Sequence, residues 1–566
     1  MSLNENAVRT ASQAHPRPAD ITYTYGTAGF RADAEVLDSV MFRVGLLAAL
    51  RSKKLGGKTI GVMVTASHNP EKDNGVKLVD PMGEMLHSSW EAYATLLANA
   101  LSDDALIARL KEVVQTAEID LSKPAKVVYG YDTRPSCRTL VRAVVDGLSA
   151  FDVEQVNAGL VTTPQLHYLT RCLNTEGTPD AYGEPTIEGY YKKLANAYTT
   201  LAKGRHLLPA LTVDCANGVG APKLKEFVKV IGQDILPVIP VRDHINLAGQ
   251  LNLNCGADYV KTQQRAPKNV DLVPWQRYCS FDGDADRIVF YYADGEGTFH
   301  LLDGDKIAGL AAGFIMDLVK DAGLSVKVGV VQTAYANGAS TKYLTEVLVR
   351  EDSVSSCLSQ LISSLEQDVP VTCVPTGVKH LHHAAESYDI GVYFEANGHG
   401  TVLFSPSTLT TIRTHTPSTP SQSAALDNLR ALLELINQTV GDALSDMLLV
   451  ETVLLHRQWT PAQWDAAYSD FPNRLVKVLV QDRHAFTTTD AERKVEKPEG
   501  LQAKIDEAVK DVVGGRSFVR PSGTEDCVRV YAEAATRETA DQLANKVAYV
   551  VFDSYGKGQR PVNGFF

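Results

Sequence analysis

A chain of 566 residues is too long for one hydrophobic core, and at about 100–200 residues per domain it should divide into three to five. With 44% hydrophobic and 22% charged residues the composition is that of ordinary globular proteins, so cores of normal size can form. The net charge of −12 argues against a general nucleic-acid or membrane binder, since both polyanions repel it at long range; any anionic substrate must be held by locally clustered Arg and Lys.

The first twenty residues carry no apolar h-region, and no later stretch reaches the roughly 18 continuous apolar residues of a spanning helix, so a cytoplasmic protein is expected. Eight cysteines are scattered without a CxxC pair, which suggests neither a disulfide framework nor a zinc knuckle. Ile60 to Val64 (IGVMV) reads as a strand that runs into Thr65-Ala66-Ser67-His68-Asn69-Pro70. Those six residues allow a plain strand-end turn, with Ser67 or Asn69 bonding nearby amides, or a nucleophilic Ser67 left exposed by the proline. Lys126 to Tyr131 (KVVYGY) leads through Asp132-Thr133-Arg134-Pro135 into an amphipathic stretch over 140–151, a βα unit of a mixed sheet. Leu211 to Asp214 (LTVD) leads through a glycine-rich turn into a helical LKEFVKVI, and residues 303–318 read as a helix capped by Asp303 or Asp305.

The Ser/Thr/Pro-rich stretch 405–423 can bury little and is expected to be an exposed loop before a helix-like run over 425–439. Leu475 to Val480 (LVKVLV) reads as the first strand of the last domain. The alternation of strands and helices makes the fold class α/β. Boundaries are expected after Tyr190, near Leu301 and at about Val453, giving domains over 1–190, 191–300, 301–452 and 453–566.

Three later loops carry chemistry. In FDGDADRIVFYY (281–292), Asp282, Asp284 and Asp286 alternate, so on an extended backbone they would point to one side and ligate one hard cation. A calcium EF-hand is excluded, because its required Gly and Glu positions hold Arg287 and Ala293. In YFEANGHGTV (393–402), Glu395, Asn397 and His399 present the donors and acceptors that grip sugar hydroxyls, although an ordinary hairpin turn explains the loop equally well. In FVRPSGTEDCVRVYAEA (518–534), Arg520, Ser522, Thr524 and Arg529 surround Gly523, the donor set that a phosphate dianion needs. No Walker loop competes, since Ser52 stands where its first glycine would be.

Together with TASHNP these loops, one per expected domain and in this order, resemble the α-D-phosphohexomutase superfamily over essentially the whole chain. YGTAGFR (25–31), TASHNPEKDNGVK (65–77), LVTTPQLHYL (160–169), PTGVKHLHH (375–383) and FPNRL (471–475) are similar to the branch that acts on N-acetylglucosamine phosphates. The sugar loop departs from the phosphoglucomutase pattern at Phe394 and Asn397, and an amide at 397 is a plausible partner for an acetamido group. The resemblance implies four domains, three mixed α/β and a C-terminal α+β one, around a central cleft. It implies interconversion of N-acetylglucosamine 6-phosphate and 1-phosphate through a phosphorylated Ser67 and a 1,6-bisphosphate, on the way to UDP-N-acetylglucosamine.

The implied cofactors are one magnesium ion per chain, held by the Ser67 phosphoryl group with Asp282, Asp284 and Asp286, and a bisphosphorylated sugar as priming intermediate. Without a cation, the three carboxylates would repel a phosphoserine carrying about −1.5 to −2 charge. Lys77 is the first candidate for proton transfer and His68 the second; Arg31 and Arg287 are expected at the phosphoryl group, and Lys379 or His380 at the sugar. His380, His382 and His383 lack a further ligand cluster that would make them a zinc site. Partners are expected to be small-molecule sugar phosphates, with no nucleic acid, membrane or obligatory protein partner. The rivals are a phosphoglucomutase or phosphomannomutase, a metal-dependent phosphatase and a non-catalytic sugar-phosphate binding protein.

Overall fold

The computed structural model describes residues 3–26, 28–347, 369–522 and 527–561. It forms two compact units, Met1–Leu301 with Arg430–Gln458 and Leu302–Leu429 with Trp459–Phe566. No helix among the described residues is long and apolar enough to cross a membrane.

In the first unit, β1 (Phe30–Asp33), β2 (Thr59–Val64), β3 (Asp73–Val79), β4 (Lys126–Tyr131) and β5 (Glu154–Leu160) form a sheet of order β1-β3-β2-β4-β5. Strands β2, β4 and β5 run parallel, and β3 is antiparallel to β1 and β2. Every residue of β2 is buried because both faces are covered: Ile60, Val62 and Val64 join Phe42 and Leu46 of helix 38–54, and Met63 joins Leu166 of helix 163–175. The parallel strands end at one edge of the sheet, and the segments after β2, β4 and β5 leave there. In open α/β sheets that edge is where ligands bind.

A second sheet contains β6 (Leu211–Asp214), β7 (Val238–Val241), β8 (Tyr278–Phe281), β9 (Ile288–Ala293) and β10 (Phe299–Leu302), in the order β10-β9-β8-β6-β7. Strand β8 is parallel to β6 and antiparallel to β9, so the aspartate loop also leaves the carboxyl end of a central strand. The expected helix after β6 spans Gly220–Ile231, with Pro222 in its first turn, where a missing N–H leaves no bond unmade.

Segment 430–458 packs into the first unit through buried polar groups. Tyr190 donates its hydroxyl to Asp442, and Arg277 forms a two-point ion pair with Glu451 at 3.0 and 2.9 Å, which compensates two desolvated charges. His456 Nε2 lies 3.0 Å from the carbonyl of Leu201, and burial together with Arg205 pushes the imidazole down to about 4. The unfolded chain titrates this histidine near 6.5, so between pH 6.5 and 4 it takes up a proton that the folded chain refuses. Stability contributed by the neutral imidazole is therefore complete above pH 6.5 and lost as pH falls toward 4. Denaturant titrations of wild type and His456→Gln should differ by about 1–2 kcal/mol across that window, after discounting for partial exposure, with wild type the more acid-sensitive.

In the second unit, β11 (Val328–Thr333), β12 (Val371–Val374), β13 (Ile390–Phe394) and β14 (Gly400–Phe404) form a sheet of order β12-β11-β13-β14, with β14 antiparallel to β13. A separate antiparallel sheet combines β15 (Asn473–Leu479) with two later strands, after the small hairpin of β16 (Thr487–Thr489) and β17 (Lys494–Lys497). Those strands are β18 (Arg516–Pro521) and β19 (Cys527–Glu533), and the order is β15-β19-β18. Helices 501–509 and 537–555 share its core, an α+β arrangement. The helix expected over 303–318 is present as Gly304–Asp321, with the Asp303 carboxylate accepting the amide of Asp305.

One expectation about organisation is corrected. Residues 405–423 are not an exposed loop: Ser405 caps a helix over Pro406–Thr414 whose Ile412 and Thr408 are buried, and a second helix begins at Pro420 and runs to Leu435. Proline sits where a helix tolerates it, in the first turn, so composition alone misjudged the segment. The boundary expected near Leu301 coincides with the division between the two units, while the positions after Tyr190 and at Val453 lie within helices Ile187–Ala202 and Ala443–Arg457.

Candidate active site

Ser67 follows β2 and adopts φ 53°, a left-handed backbone uncommon for a residue with a Cβ. This turns the side chain inward. Ser67 is buried rather than exposed by the proline, and its Oγ donates to Asp282 Oδ2 at 2.6 Å. The three aspartates also converge, each offering a carboxylate oxygen within 4.8 Å of the other two. They do so through a turn, not the extended backbone expected: Asp282 Oδ1 accepts the amides of Asp286 and Arg287 at 3.1 and 3.3 Å, and Ala285 takes φ 56°. Gly283 is required here, since a Cβ would stand 2.6 Å from the Ser67 carbonyl oxygen.

Burial, with Asp286 and Asp284 beside it, pushes the Asp282 carboxyl well above its usual range. Asp284 Oδ2 accepts from Thr163 Oγ1 at 2.6 Å and lies 3.2 Å from Thr65 Oγ1, while its buried Oδ1 has no hydrogen-bond partner among the described residues. Three buried carboxylates with an oxygen left over are a donor set that fits a hard divalent cation.

Cations from both sheets surround this group. Lys77 on β3 places Nζ 3.2 Å from Asp286 Oδ2 and 3.5 Å from Asp284 Oδ2. Arg287 reaches Asp258, Asp286 and Asp282 at 3.4, 3.8 and 3.9 Å. Arg31 on β1 lies beside them, its buried Nε without a partner among the described residues; burial and Arg287 push its guanidinium down. His68 is held neutral, since burial, Arg287 and Arg31 drive its imidazole well below its ordinary value. Its buried Nδ1 has no partner among the described residues. The structure thus brings Ser67, Asp282, Asp284, Asp286, Lys77, His68, Arg31 and Arg287 together in one unit.

The second unit carries the other two loops. Residues 395–399 form the turn of the β13–β14 hairpin, where His399 N donates to Asn397 Oδ1 at 3.0 Å, Asn397 Nδ2 reaches Glu395 Oε2 at 3.4 Å, and Gly398 takes φ 84°. Glu395 and Asn397 are half-buried and His399 is buried. Lys379 and His380 start helix 378–385, Lys379 half-buried and His380 exposed. His382 bonds the Tyr393 hydroxyl at 2.9 Å and His383 bonds Glu386 at 2.8 Å. Among the described residues the aspartate triple is the one group placed to hold a metal.

Arg520 and Arg529 are directly opposed across β18 and β19, a like-charge pair that a sheet tolerates poorly without an anion. Glu492 provides one charge, 3.1 Å from Arg520 Nε, and is itself bonded by Thr376 N at 2.9 Å and Thr376 Oγ1 at 2.5 Å. Ser522 is buried, its amide donating to Cys527 O at 2.9 Å; Gly523 and Thr524 lie outside the described residues. Tyr335 packs against Arg520, its ring centre 5.9 Å from the guanidinium.

Thr65, Thr163, Tyr335 and Glu492 were not singled out as site residues. Thr65 and Thr163 lie within quoted motifs, but a threonine's target is set by which strands are neighbours. Tyr335 and Glu492 carry no local signal.

Family models described as phosphoacetylglucosamine mutase AMG1 domain II and domain III match residues 179–289 and 303–459. Those for the phosphoglucomutase/phosphomannomutase α/β/α domain I and C-terminal domain match 34–101 with 96–178, and 475–550. The phosphoacetylglucosamine mutase of Sus scrofa is 50% identical over 569 residues, covering 100% of both chains. The chain belongs to the phosphoacetylglucosamine mutase family. It is therefore a phosphohexomutase, an enzyme of the isomerase class, with the four-domain α/β architecture that its loops implied. The Aspergillus fumigatus N-acetylphosphoglucosamine mutase in complex with GlcNAc-6P and magnesium is 52% identical, with a TM-score of 0.91 over 98% of this chain and 100% of that one. A serine-to-alanine variant of the same fungal enzyme, in complex with glucose 1,6-bisphosphate, is 51% identical with a TM-score of 0.92 and the same coverage.

Proposed function

We propose that the enzyme interconverts N-acetylglucosamine 6-phosphate and N-acetylglucosamine 1-phosphate through a phosphorylated Ser67 and the 1,6-bisphosphate, supplying the 1-phosphate from which UDP-N-acetylglucosamine is made. The observation that carries this reading is the Ser67 hydroxyl, 2.6 Å from Asp282 within the buried aspartate triple and beside Lys77, Arg31 and Arg287. Asp282, Asp284 and Asp286 would hold a magnesium ion, which when bound neutralises charge at the phosphoryl group and acts as a Lewis acid.

The free hydroxyl of the sugar phosphate attacks phosphorus in line, the bond from phosphorus to Ser67 Oγ breaks, and the hydroxyl proton passes to a base. Lys77 is the proposed carrier of that proton. His68, beside Ser67 and with a buried Nδ1 that has no partner among the described residues, is the second candidate. Arg31 and Arg287 steady the phosphoryl oxygens. The bisphosphate then turns end for end and returns its other phosphoryl group to Ser67, regenerating the enzyme.

Glu395, Asn397 and His399, with Lys379 or His380, are assigned to the sugar. Asn397 uses its Oδ1 and one amide direction within the loop, leaving a second amide hydrogen for an acetamido carbonyl. Arg520, Ser522, Gly523, Thr524 and Arg529 are assigned to the distal phosphate, and the unbalanced Arg520–Arg529 pair supports this. A cytoplasmic location is part of the same reading.

The test compares kcat/KM for N-acetylglucosamine 6-phosphate with those for glucose and mannose 6-phosphates, and maps phosphate on the protein by intact mass. Preference for the acetamido sugar of at least about tenfold and one phosphate on Ser67 are expected. Faster turnover of glucose 6-phosphate, or steady phosphate release without isomer, would refute the assignment.

A further inference from the structure

The turn that carries Ser67 is built around one side chain that touches neither the aspartates nor any group assigned to substrate. Arg134, in the Asp132-Thr133-Arg134-Pro135 segment after β4, is fully buried, and each of its five N–H donors is directed at a partner. Nη2 donates to the carbonyls of Ser67 and Asn69, both at 2.9 Å. Nη1 donates to those of Pro70 at 2.6 Å and Asp73 at 3.0 Å, and Nε to Asp132 Oδ2 at 3.1 Å. Asp132 Oδ2 also accepts from Thr65 Oγ1 at 2.7 Å, and Thr65 Oγ1 in turn accepts the Ser67 amide at 3.0 Å. Both backbone groups of Ser67 are thereby tied to one buried ion pair.

We propose that Arg134 is the positioning residue for the nucleophile, holding the Ser67 turn in the left-handed conformation that aims Oγ at the aspartate triple. Four carbonyl oxygens from residues 67 to 73 converge on one fully buried guanidinium, whose donors must be satisfied where they lie. A planar fork with five donors does this for four carbonyls and one carboxylate together. An ammonium, with three donors and no plane, keeps the charge beside Asp132 but cannot span the set. From the opposite side, Asn252 Nδ2 donates to the same two carbonyls, Ser67 and Asn69, at 2.9 and 3.1 Å. Without the fork the turn is free to shift, and a displacement of about 1 Å at a reacting atom is enough to cost about a hundredfold in rate.

This inference rests on the reading of Ser67 as phosphoryl carrier, so the test runs Arg134→Lys, Arg134→Gln and Ser67→Ala in parallel on the full-length enzyme with magnesium. Measured quantities are kcat and KM for N-acetylglucosamine 6-phosphate, the thermal melting curve, and the rate at which glucose 1,6-bisphosphate loads phosphate onto the protein. Arg134→Lys is expected to melt cooperatively, to keep KM within about threefold, and to lose at least about thirtyfold in both kcat and loading rate. A kcat within about threefold of wild type overturns the assignment, and so does a loss of kcat with an equal rise in KM. Failure of both Arg134 variants to unfold cooperatively also overturns it, in favour of a purely structural role. If Ser67→Ala itself retains turnover, the underlying reading fails; if Ser67→Ala is inactive and Arg134→Lys is normal, only this inference fails.

Discussion

Ser67→Ala is expected to abolish mutase turnover while leaving sugar-phosphate binding intact. In the proposed mechanism this hydroxyl accepts and returns the phosphoryl group, so its removal should lower kcat by at least about 10⁴-fold, as for other covalent nucleophiles. Binding should survive because the assigned sugar and phosphate residues lie on other loops, and the backbone ties of residue 67 to Arg134, Asn252 and Thr65 do not involve Oγ. Isothermal titration should give a Kd for N-acetylglucosamine 6-phosphate within about threefold of wild type, and intact mass should show no phosphate after incubation with glucose 1,6-bisphosphate. Near-normal mutase activity in this variant would remove Ser67 from the mechanism.

Asp284→Asn should separate metal binding from folding. Asp284 is the aspartate whose Oδ2 is already anchored by the Thr163 hydroxyl and whose Oδ1 is buried without a partner among the described residues. An amide keeps the shape but removes the charge that a hard cation requires, so the magnesium concentration for half-activation should rise at least about a hundredfold, with a comparable loss of rate at fixed magnesium. A ligand that binds only the folded state raises the melting temperature by mass action, so magnesium should stabilise wild type and leave Asp284→Asn nearly unchanged. An unaltered magnesium response in the variant would place the cation elsewhere.

Much of this enzyme is legible from residue order. The apolar runs 60–64, 126–131 and 211–214 are strands as read, because buried sheet strands need continuous apolar residues and little else. The four loops stand out for a related reason. Each interrupts such runs with polar residues whose burial costs free energy unless they have a partner or a task. Composition misleads where pattern does not: the serines, threonines and prolines of 405–423 suggest a loop, yet Ser405 caps and Pro406 starts a helix anchored by Ile412.

The residue types of the chemistry, a serine after one strand, three aspartates after another, arginines flanking a third turn, were determined by the sequence by itself, as was the family they imply. Only the tertiary structure decided that Ser67 is buried and turned inward, that the aspartates meet through a turn, and that Arg134 ties residues 67 to 73 together. Those facts depend on which strands are neighbours and which carbonyls converge, and a partner set by sheet order can be any distance away along the chain: Ser67 and Asp282 are 215 residues apart in sequence and 2.6 Å apart in space.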